Sequence, residues 1–145
     1  MPVTTDDKAM REYMERLAEL DKLEVVAGHV GNNALEPHPK SKGATKLQVS
    51  RFVLFGTPTM PARPYMDIAA QDLQSDPAVA FVTAEAQKSK RSAKNALKPL
   101  GRITAKAIRD AIVFVGAVDT GATRDAVRYQ IRDQAGRVLV EGSAS

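Results

Sequence analysis

Three prolines, Pro58, Pro61 and Pro64, constrain the path of the chain between residues 56 and 66. Each proline ring holds φ near roughly −65° and disfavours helix at the residue before it. Gly56 follows an apolar run, residues 51–55, and glycine readily takes the left-handed conformation that ends a helix. The sequence therefore predicts that the chain leaves a helix at Gly56, runs extended, and enters a second helix at Pro64.

A segment that is already ordered in this way loses little conformational entropy when it binds. We therefore predict that the side chains of Met60, Arg63 and Tyr65 contact a neighbouring subunit. The glycine and the three prolines are predicted to shape the turn that presents them.

Residues 56–66, Gly-Thr-Pro-Thr-Met-Pro-Ala-Arg-Pro-Tyr-Met, resemble the signature of a known protein family. That family comprises the neck and tail-completion proteins of tailed bacteriophages, including minor tail proteins and virion-morphogenesis proteins. Residues 118–129 resemble a second motif of the same family, with Thr123 and Ala126 where leucine and serine are usual. The resemblance covers most of residues 6–142.

The resemblance implies a structural protein that forms a hexameric or dodecameric ring and lets DNA pass. Its implied partners are further copies of itself, the head connector, and the tail terminator or tail tube. The implied location is the neck or tail of the virion, after assembly in the host cytoplasm. A tail terminator or another connector ring with the same fold is the alternative.

Length and composition predict one globular domain, residues 1–145. Hydrophobic residues make up 43% of the 145 residues and charged residues 26%, which is typical of a folded domain with one core. No apolar run approaches the roughly 20 residues that span a bilayer, so no membrane contact is expected. Cysteine is absent, which excludes disulfides and thiolate metal sites.

The N-terminal part is predicted to contain a helix, a strand and a flexible loop. Apolar residues recur at helical spacing after Thr4 or Thr5, at Met10, Tyr13, Met14 and Leu17. Residues 22–30 are rich in β-branched side chains and predict a strand. Residues 32–45 have almost nothing to bury and predict a flexible loop. Periodicity over residues 46–55 permits either helix or strand, and the family resemblance favours helix.

The C-terminal part is predicted to contain a long helix and a β-hairpin. The sequence Ser75-Asp76-Pro77 starts a helical pattern that continues to about Val115, with a predicted kink at Pro99 and Gly101. Residues 127–133 and 137–142 predict the hairpin. We therefore expect an α+β fold. In it, a small antiparallel sheet packs against a long amphipathic helix, and the N-terminal helix lies beside that helix.

Eight basic residues and no acidic residue lie between Ala86 and Arg109. At about 100° per residue, the apolar residues of this segment share one helix face and the basic residues lie roughly opposite. The predicted contact residues on the basic face are Lys94, Lys98, Arg102, Lys106 and Arg109. Three interpretations are open: a solvated helix face, contact with an acidic partner ring, or sequence-independent binding to the phosphates of genome DNA.

The strongest catalytic candidate is Asp-Thr-Gly-Ala at residues 119–122, which also resembles the active-site motif of retroviral-type aspartic proteases. Those enzymes need a strand before the motif and a supporting segment after it. Here a predicted helix precedes the motif and only 24 residues follow Gly121. We therefore expect Asp119 and Gly121 to form a turn, and we predict no catalysis. His29 and His38 lack a carboxylate at metal-ligand spacing, so no metal or cofactor is predicted.

Overall fold

A computed structural model describes residues 5–39, 43–58, 61–115 and 122–143. Within these ranges the chain forms helices and a three-stranded antiparallel sheet, which confirms the predicted α+β class. The helices are α1 (Thr5–Asp21), α2 (Lys46–Phe55), α3 (Tyr65–Ser75), α4 (Pro77–Lys88), α5 (Ala93–Ala96), α6 (Lys98–Phe114) and α7 (Ala122–Asp125). The strands are β1 (Leu23–Gly28), β2 (Arg128–Asp133) and β3 (Val138–Ser143), and a short 3-10 helix, Asn32–Leu35, lies between β1 and α2.

The sheet has the strand order β1-β2-β3, so β2 pairs with both other strands. In the first ladder Leu23 lies opposite Asp133 and Gly28 lies opposite Arg128. The Asp133 carboxylate closes the hairpin turn, because it accepts hydrogen bonds from the backbone N–H groups of Ala135 and Arg137. The predicted hairpin is confirmed.

The core lies between α6 and the sheet. Ile108 and Ile112 on α6 are buried, as are Tyr129 and Ile131 on β2. Helix α3 packs against another side of α6, so α6 is the central element of the fold. Burying side chains of this size stabilises the fold by roughly 1.5–3 kcal/mol each relative to leaving them exposed.

The helix boundaries near the prolines follow local rules. Gly56 has φ +80°, as predicted, and its N–H donates to the carbonyl of Phe52 at 2.8 Å. Pro64 is the residue before α3 rather than its first residue. The predicted start at residues 75–77 is confirmed: the Asp76 carboxylate accepts a hydrogen bond from the N–H of Ala78 at 2.9 Å, and proline occupies the first helical position.

The prediction of one kinked helix from residue 77 to residue 115 is wrong. Helix α4 ends at Lys88, residues 89–92 form a connecting turn, and the short α5 leads into α6. Pro99 lies in the first turn of α6, where a missing N–H costs no helical hydrogen bond. Gly101 does not loosen the helix. Its bare backbone instead allows the ring of Tyr129 to approach so closely that a Cβ there would lie 2.3 Å from Cδ2.

The prediction that residues 32–45 have almost nothing to bury is also wrong. Ala34 is 1% exposed and His38 is 8% exposed. The backbone N–H of His38 donates to the carbonyl of Ala44 at 2.9 Å, and Pro37 forms a β-bridge with Thr45. This segment therefore folds back on itself where it is described; residues 40–42 lie outside the described part.

Candidate assembly surfaces

The turn between α2 and α3 is held by backbone hydrogen bonds. The N–H of Arg63 donates to the carbonyl of Val53 at 2.8 Å, and the N–H of Tyr65 donates to the carbonyl of Arg63 at 2.8 Å. These bonds bring the start of α3 beside α2. The last part of the proline-rich segment, residues 61–64, is therefore held beside α2 by these hydrogen bonds.

Tyr65 is not available for contact with a neighbouring subunit, so that part of the interface prediction is wrong. Its side chain is 2% exposed within the core, and its hydroxyl donates to the carbonyl of Ser50 at 3.3 Å. Burial raises the pKa of the Tyr65 hydroxyl. Tyr65 is the first residue of α3, and its side chain reaches the core because α3 packs against α6.

The other predicted turn and contact residues differ in their exposure, and some of them are not described. Arg63 is half-buried, and its contact with a neighbour stays a prediction. Pro58 and Pro61 are exposed, in agreement with a surface turn. Met60, Asp119 and Gly121 lie outside the residues that the structure describes.

Two of the predicted basic contact residues have acidic partners, so the basic face is not wholly positive. The Lys106 ammonium lies 2.9 Å from a carboxylate oxygen of Asp110, one helical turn further on. Arg109 lies 3.8 Å from Asp125, which α7 brings to the side of α6. The pairing was missed because Asp110 directly follows the basic segment and Asp125 is distant in sequence.

Asp125 is held as a carboxylate by several arginines. The guanidinium of Arg124 donates to it at 2.9 Å, and this hydrogen bond is the largest effect that lowers the pKa of Asp125. Arg109 and Arg128 lower the pKa further through their charges. The buried Nε of Arg109 has no hydrogen-bond partner among the described atoms. This cluster fixes α7 against α6.

The remaining basic residues of this segment follow one another along the chain, and we call them the basic turn. None of its members forms an ion pair with the described residues: Lys88, Lys90, Arg91, Lys94, Lys98 and Arg102. They extend from the end of α4, through residues 89–92 and α5, to the second turn of α6.

The basic turn is not explained by helix stability. Cations near a helix N-terminus oppose the helix dipole, and neither α5 nor α6 has an acidic residue in its first turn. Only Lys88, at the end of α4, and Lys94, in the last turn of the four-residue α5, have favourable positions relative to a helix dipole. Local helix stability therefore does not account for most of these cations.

Arg16 on α1 holds the basic turn in place. Its Nη2 donates to the carbonyl of Ser89 at 2.7 Å and also to the carbonyl of Arg91. The Arg16 side chain is only 13% exposed and lies 3.7 Å from Glu19. Sequence reasoning missed this residue. The available signal was its position beside the apolar stripe of α1, three residues after Tyr13 and four before Leu20.

All four phenylalanines of the chain lie on the surface. Phe52 and Phe55 on α2 are 46% and 74% exposed, Phe81 on α4 is 66% exposed, and Phe114 at the end of α6 is 79% exposed. Composition gave no sign of this, because phenylalanine is usually a core residue. Contiguous apolar patches mark surfaces for protein contact, whereas single exposed apolar side chains are common on monomers, so the pair on α2 is the more informative.

The first half of α1 is exposed, although it lies beside the end of α4 and the residues that follow it. Every residue from Asp7 to Glu15 is exposed, including Met10 at 60% and Met14 at 58%. The apolar stripe predicted from the sequence is present, but it is covered only further along the helix, where Leu20 packs against the core.

A groove of about 460 Å³ lies between α4, the basic turn and the start of α6. Its apolar lining consists of Phe81, Val82, Ala86, Ala96 and Pro99. The charged groups around it are Lys88, Arg91 and Glu85. We call it the α4 groove.

Comparisons with known proteins add no identification: no family model, no curated protein and no solved structure that we compared with the chain matches it. Within the described ranges, no three histidine or carboxylate side chains are grouped so as to hold a metal ion. No helix in those ranges is long and apolar enough to cross a membrane. The arrangement on the surface is suited to binding through apolar and cationic patches.

Proposed function

We propose that this chain is a structural protein of a tailed bacteriophage, located in the virion neck. In this proposal it forms a hexameric or dodecameric ring that completes the tail or joins it to the head connector, and DNA passes through the ring. The subunits assemble in the host cytoplasm. The protein has no catalytic role, and its partners are its own copies, the head connector and the tail terminator or tube.

The observation that carries the proposal is the exposure of all four phenylalanines. Burying one such side chain at an interface contributes roughly 1.5–3 kcal/mol from transfer out of water. Aromatic residues are enriched at the centres of protein interfaces, whereas an isolated soluble subunit gains nothing from exposing them. Several such side chains, on α2, α4 and α6, suit a subunit that is contacted on more than one side.

The proline turn supports the same proposal. The family resemblance includes residues 56–66, and this segment has the positive φ at Gly56 and the helix after Pro64 that its glycine and prolines predict. Arg63 remains a candidate contact residue at this turn.

The basic turn supports a role beside an acidic protein ring or DNA. Its six cations have no ion pairs with described residues, whereas Lys106 and Arg109 are paired. We therefore place the contact at Lys94, Lys98 and Arg102 and leave the two paired residues out of it. Binding of this kind weakens as salt increases, because counterions screen the charges.

Electron microscopy of particles made without this gene tests the proposal. Filled heads and finished tails that remain separate are the expected result. Absent or overlong tails would instead indicate a tail terminator, the alternative. Normally joined, infectious particles would refute a neck function of either kind.

Charge reversal tests the placement of the basic contact. Arg102→Glu should block the joining of heads and tails in a complementation assay, because like charges at an interface cost several kcal/mol. Lys106→Glu is the matched control: it lies one turn further on the same exposed face, and its charge is already balanced by Asp110. Equal complementation by both variants would show that the basic turn is a solvated surface.

The absence of catalysis is tested at Asp119. Purified protein is incubated with unstructured peptides from acidic to neutral pH, and no cleavage is expected. Cleavage that an aspartyl-protease inhibitor blocks and Asp119→Asn removes would establish an enzyme instead.

A further inference from the structure

A cleft of about 520 Å³ lies where the end of α1, the residues around α5 and the β2–β3 hairpin meet. We call it the hairpin cleft. We propose that it binds an acidic segment of a partner protein and that an apolar side chain of this segment packs against the apolar lining. Such a site deepens the proposed function, because it names the chemistry of one partner, and it rests on that function only in taking the partner to be another neck protein.

Most of the exposed lining of the hairpin cleft is apolar. Its apolar residues are Leu23, Ala93, Ala135 and Leu139. Leu23 packs against the core, whereas Leu139 is 40% exposed. Binding sites in proteins commonly combine an apolar lining with a few polar groups that orient the ligand. An apolar side chain of a bound partner would therefore gain from transfer out of water in this cleft.

The two carboxylates that line the cleft each have a cation of their own subunit. Glu19 lies 3.7 Å from Arg16. Asp133 lies 2.8 Å from Arg137 and also accepts hydrogen bonds from backbone N–H groups of the hairpin. Both carboxylates are therefore engaged in contacts that hold the subunit together.

Lys22 and Lys94 are the lining cations that have no such contact. Lys22 lies between α1 and β1, and Lys94 lies on α5, so the fold brings them to the cleft from distant parts of the chain. Both are exposed, and neither forms an ion pair with the described residues. Carboxylates of a bound segment would supply their partners, and complementary charges of this kind orient a partner and speed its association.

A protein segment fits this cleft better than DNA does. DNA binds through the charge of its phosphates, which gain nothing from an apolar lining. Glu19 and Asp133 also bring negative charge to the cleft, and this charge would repel the closely spaced phosphates of a duplex. A peptide instead presents backbone N–H donors, which carboxylates accept, together with apolar side chains.

NMR titration of the isotope-labelled, purified chain tests the proposal. The probe is a short synthetic peptide with one leucine flanked on both sides by aspartates, added up to millimolar concentration so that weak binding is detected. The backbone amide signals of residues 92–94 and 134–139 should shift. No shift at these residues, or shifts confined to other surfaces, would overturn the proposal.

A second peptide, with alanine in place of the leucine, tests the apolar contact. It should bind roughly 10-fold more weakly, which corresponds to about 1.4 kcal/mol. Equal binding by the two peptides would show that charge alone attracts them and that no apolar side chain occupies the cleft.

Charge reversal tests the two lysines. Lys22→Glu and Lys94→Glu should each weaken binding of the leucine peptide by roughly 10-fold or more, because repulsion replaces attraction. Lys106→Glu is the matched control, since Lys106 is exposed, lies outside the cleft and is paired with Asp110. Thermal unfolding verifies that each variant is folded, and Lys→Gln at the same position replaces a variant that is not. Equal weakening by the control would reduce the effect to net charge and contradict the assignment.

Short duplex DNA, added at the same concentrations, distinguishes the two kinds of partner. It should leave the amide signals of the cleft unchanged and should not displace the peptide. Shifts of the same signals that Lys22→Glu and Lys94→Glu abolish would instead establish a phosphate-binding surface and overturn the proposal.

The peptide site and the proposed function can fail separately. Joined particles in the absence of the gene would refute the neck function and leave peptide binding by the purified chain intact. Unjoined particles, together with a purified chain that does not bind the peptide, would refute the hairpin cleft alone.

Discussion

Replacing Gly101 with alanine should destabilise the protein, although the same change in most helices does the opposite. Glycine within a helix is less favourable than alanine by roughly 0.5–1 kcal/mol, so an uncrowded Gly101 would make Gly101→Ala stabilising. A Cβ at this position would lie 2.3, 2.7 and 2.8 Å from three ring carbons of Tyr129. Carbon atoms at van der Waals contact are about 3.5–4.0 Å apart, so the ring or the helix would have to move.

The ring of Tyr129 has little room to move away from α6. On its other edge lies Gly142 of β3, where a Cβ would meet the Tyr129 hydroxyl oxygen at 2.6 Å. Overpacking of a core costs about 1–3 kcal/mol, which exceeds the gain in helix propensity. We therefore expect a net loss of about 1–2 kcal/mol. For a domain of this size that corresponds to a fall in Tm of about 3–6 °C.

Thermal and denaturant unfolding measure the effect, and the background variant Tyr129→Ala provides the control. Removing the ring should abolish the crowding, so Gly101→Ala in that background should be neutral or stabilising. The change in the free energy of unfolding caused by Gly101→Ala should therefore have opposite signs in the two backgrounds. A rise in Tm for Gly101→Ala with the tyrosine present would refute the inference that the Tyr129 ring leaves no room for a Cβ at position 101.

Three further outcomes are expected. Gly56→Val should lower stability by about 1–3 kcal/mol in denaturant unfolding, since a β-branched residue is strained at positive φ, and an unchanged midpoint would contradict the role of the turn. Arg16→Ala should speed amide hydrogen exchange around Ser89 while Arg16→Lys restores part of the protection, and unchanged exchange would show that the turn is held by other contacts. The pKa of the Asp133 carboxyl is lowered, mainly by the hydrogen bond from the backbone N–H of Arg137, so its contribution to stability is complete above the ordinary carboxyl pKa and is lost as pH falls through the lowered value. Asp133→Ala should therefore make unfolding less sensitive to acid. An NMR titration in which the Asp133 carboxyl has a pKa at or above the ordinary value would refute this.

Local rules predicted the elements of this fold well. The β-branched run before residue 30 and the turn at residues 133–137 gave the sheet, because strand and hairpin signals are local. The Asp76-Pro77 pair gave the start of α4, since capping depends on neighbouring residues only. The positive φ of Gly56 was likewise evident from the apolar run before it and the prolines after it.

Features that depend on tertiary contacts could not be predicted from the sequence. Gly101 has the same local signature whether it bends a helix or admits a ring, and only the position of Tyr129 distinguishes the two. The partner of Arg109 lies on α7, and the burial of Tyr65 depends on the packing of its helix against α6. The exposure of the phenylalanines was similarly hidden, because an apolar residue on a helix face indicates burial without saying whether the cover comes from its own subunit.

The bond from Arg16 to the turn at residues 89–91 connects two surfaces that would otherwise act independently. The guanidinium belongs to α1, while Ser89 and Arg91 form part of the wall of the α4 groove. In the proposed ring, a neighbour that immobilises α1 would also make the wall of the α4 groove less mobile for a second contact. The ordering entropy for the second contact is then already spent, so each added subunit favours the next. Such cooperativity would suppress isolated pairs and favour closed rings.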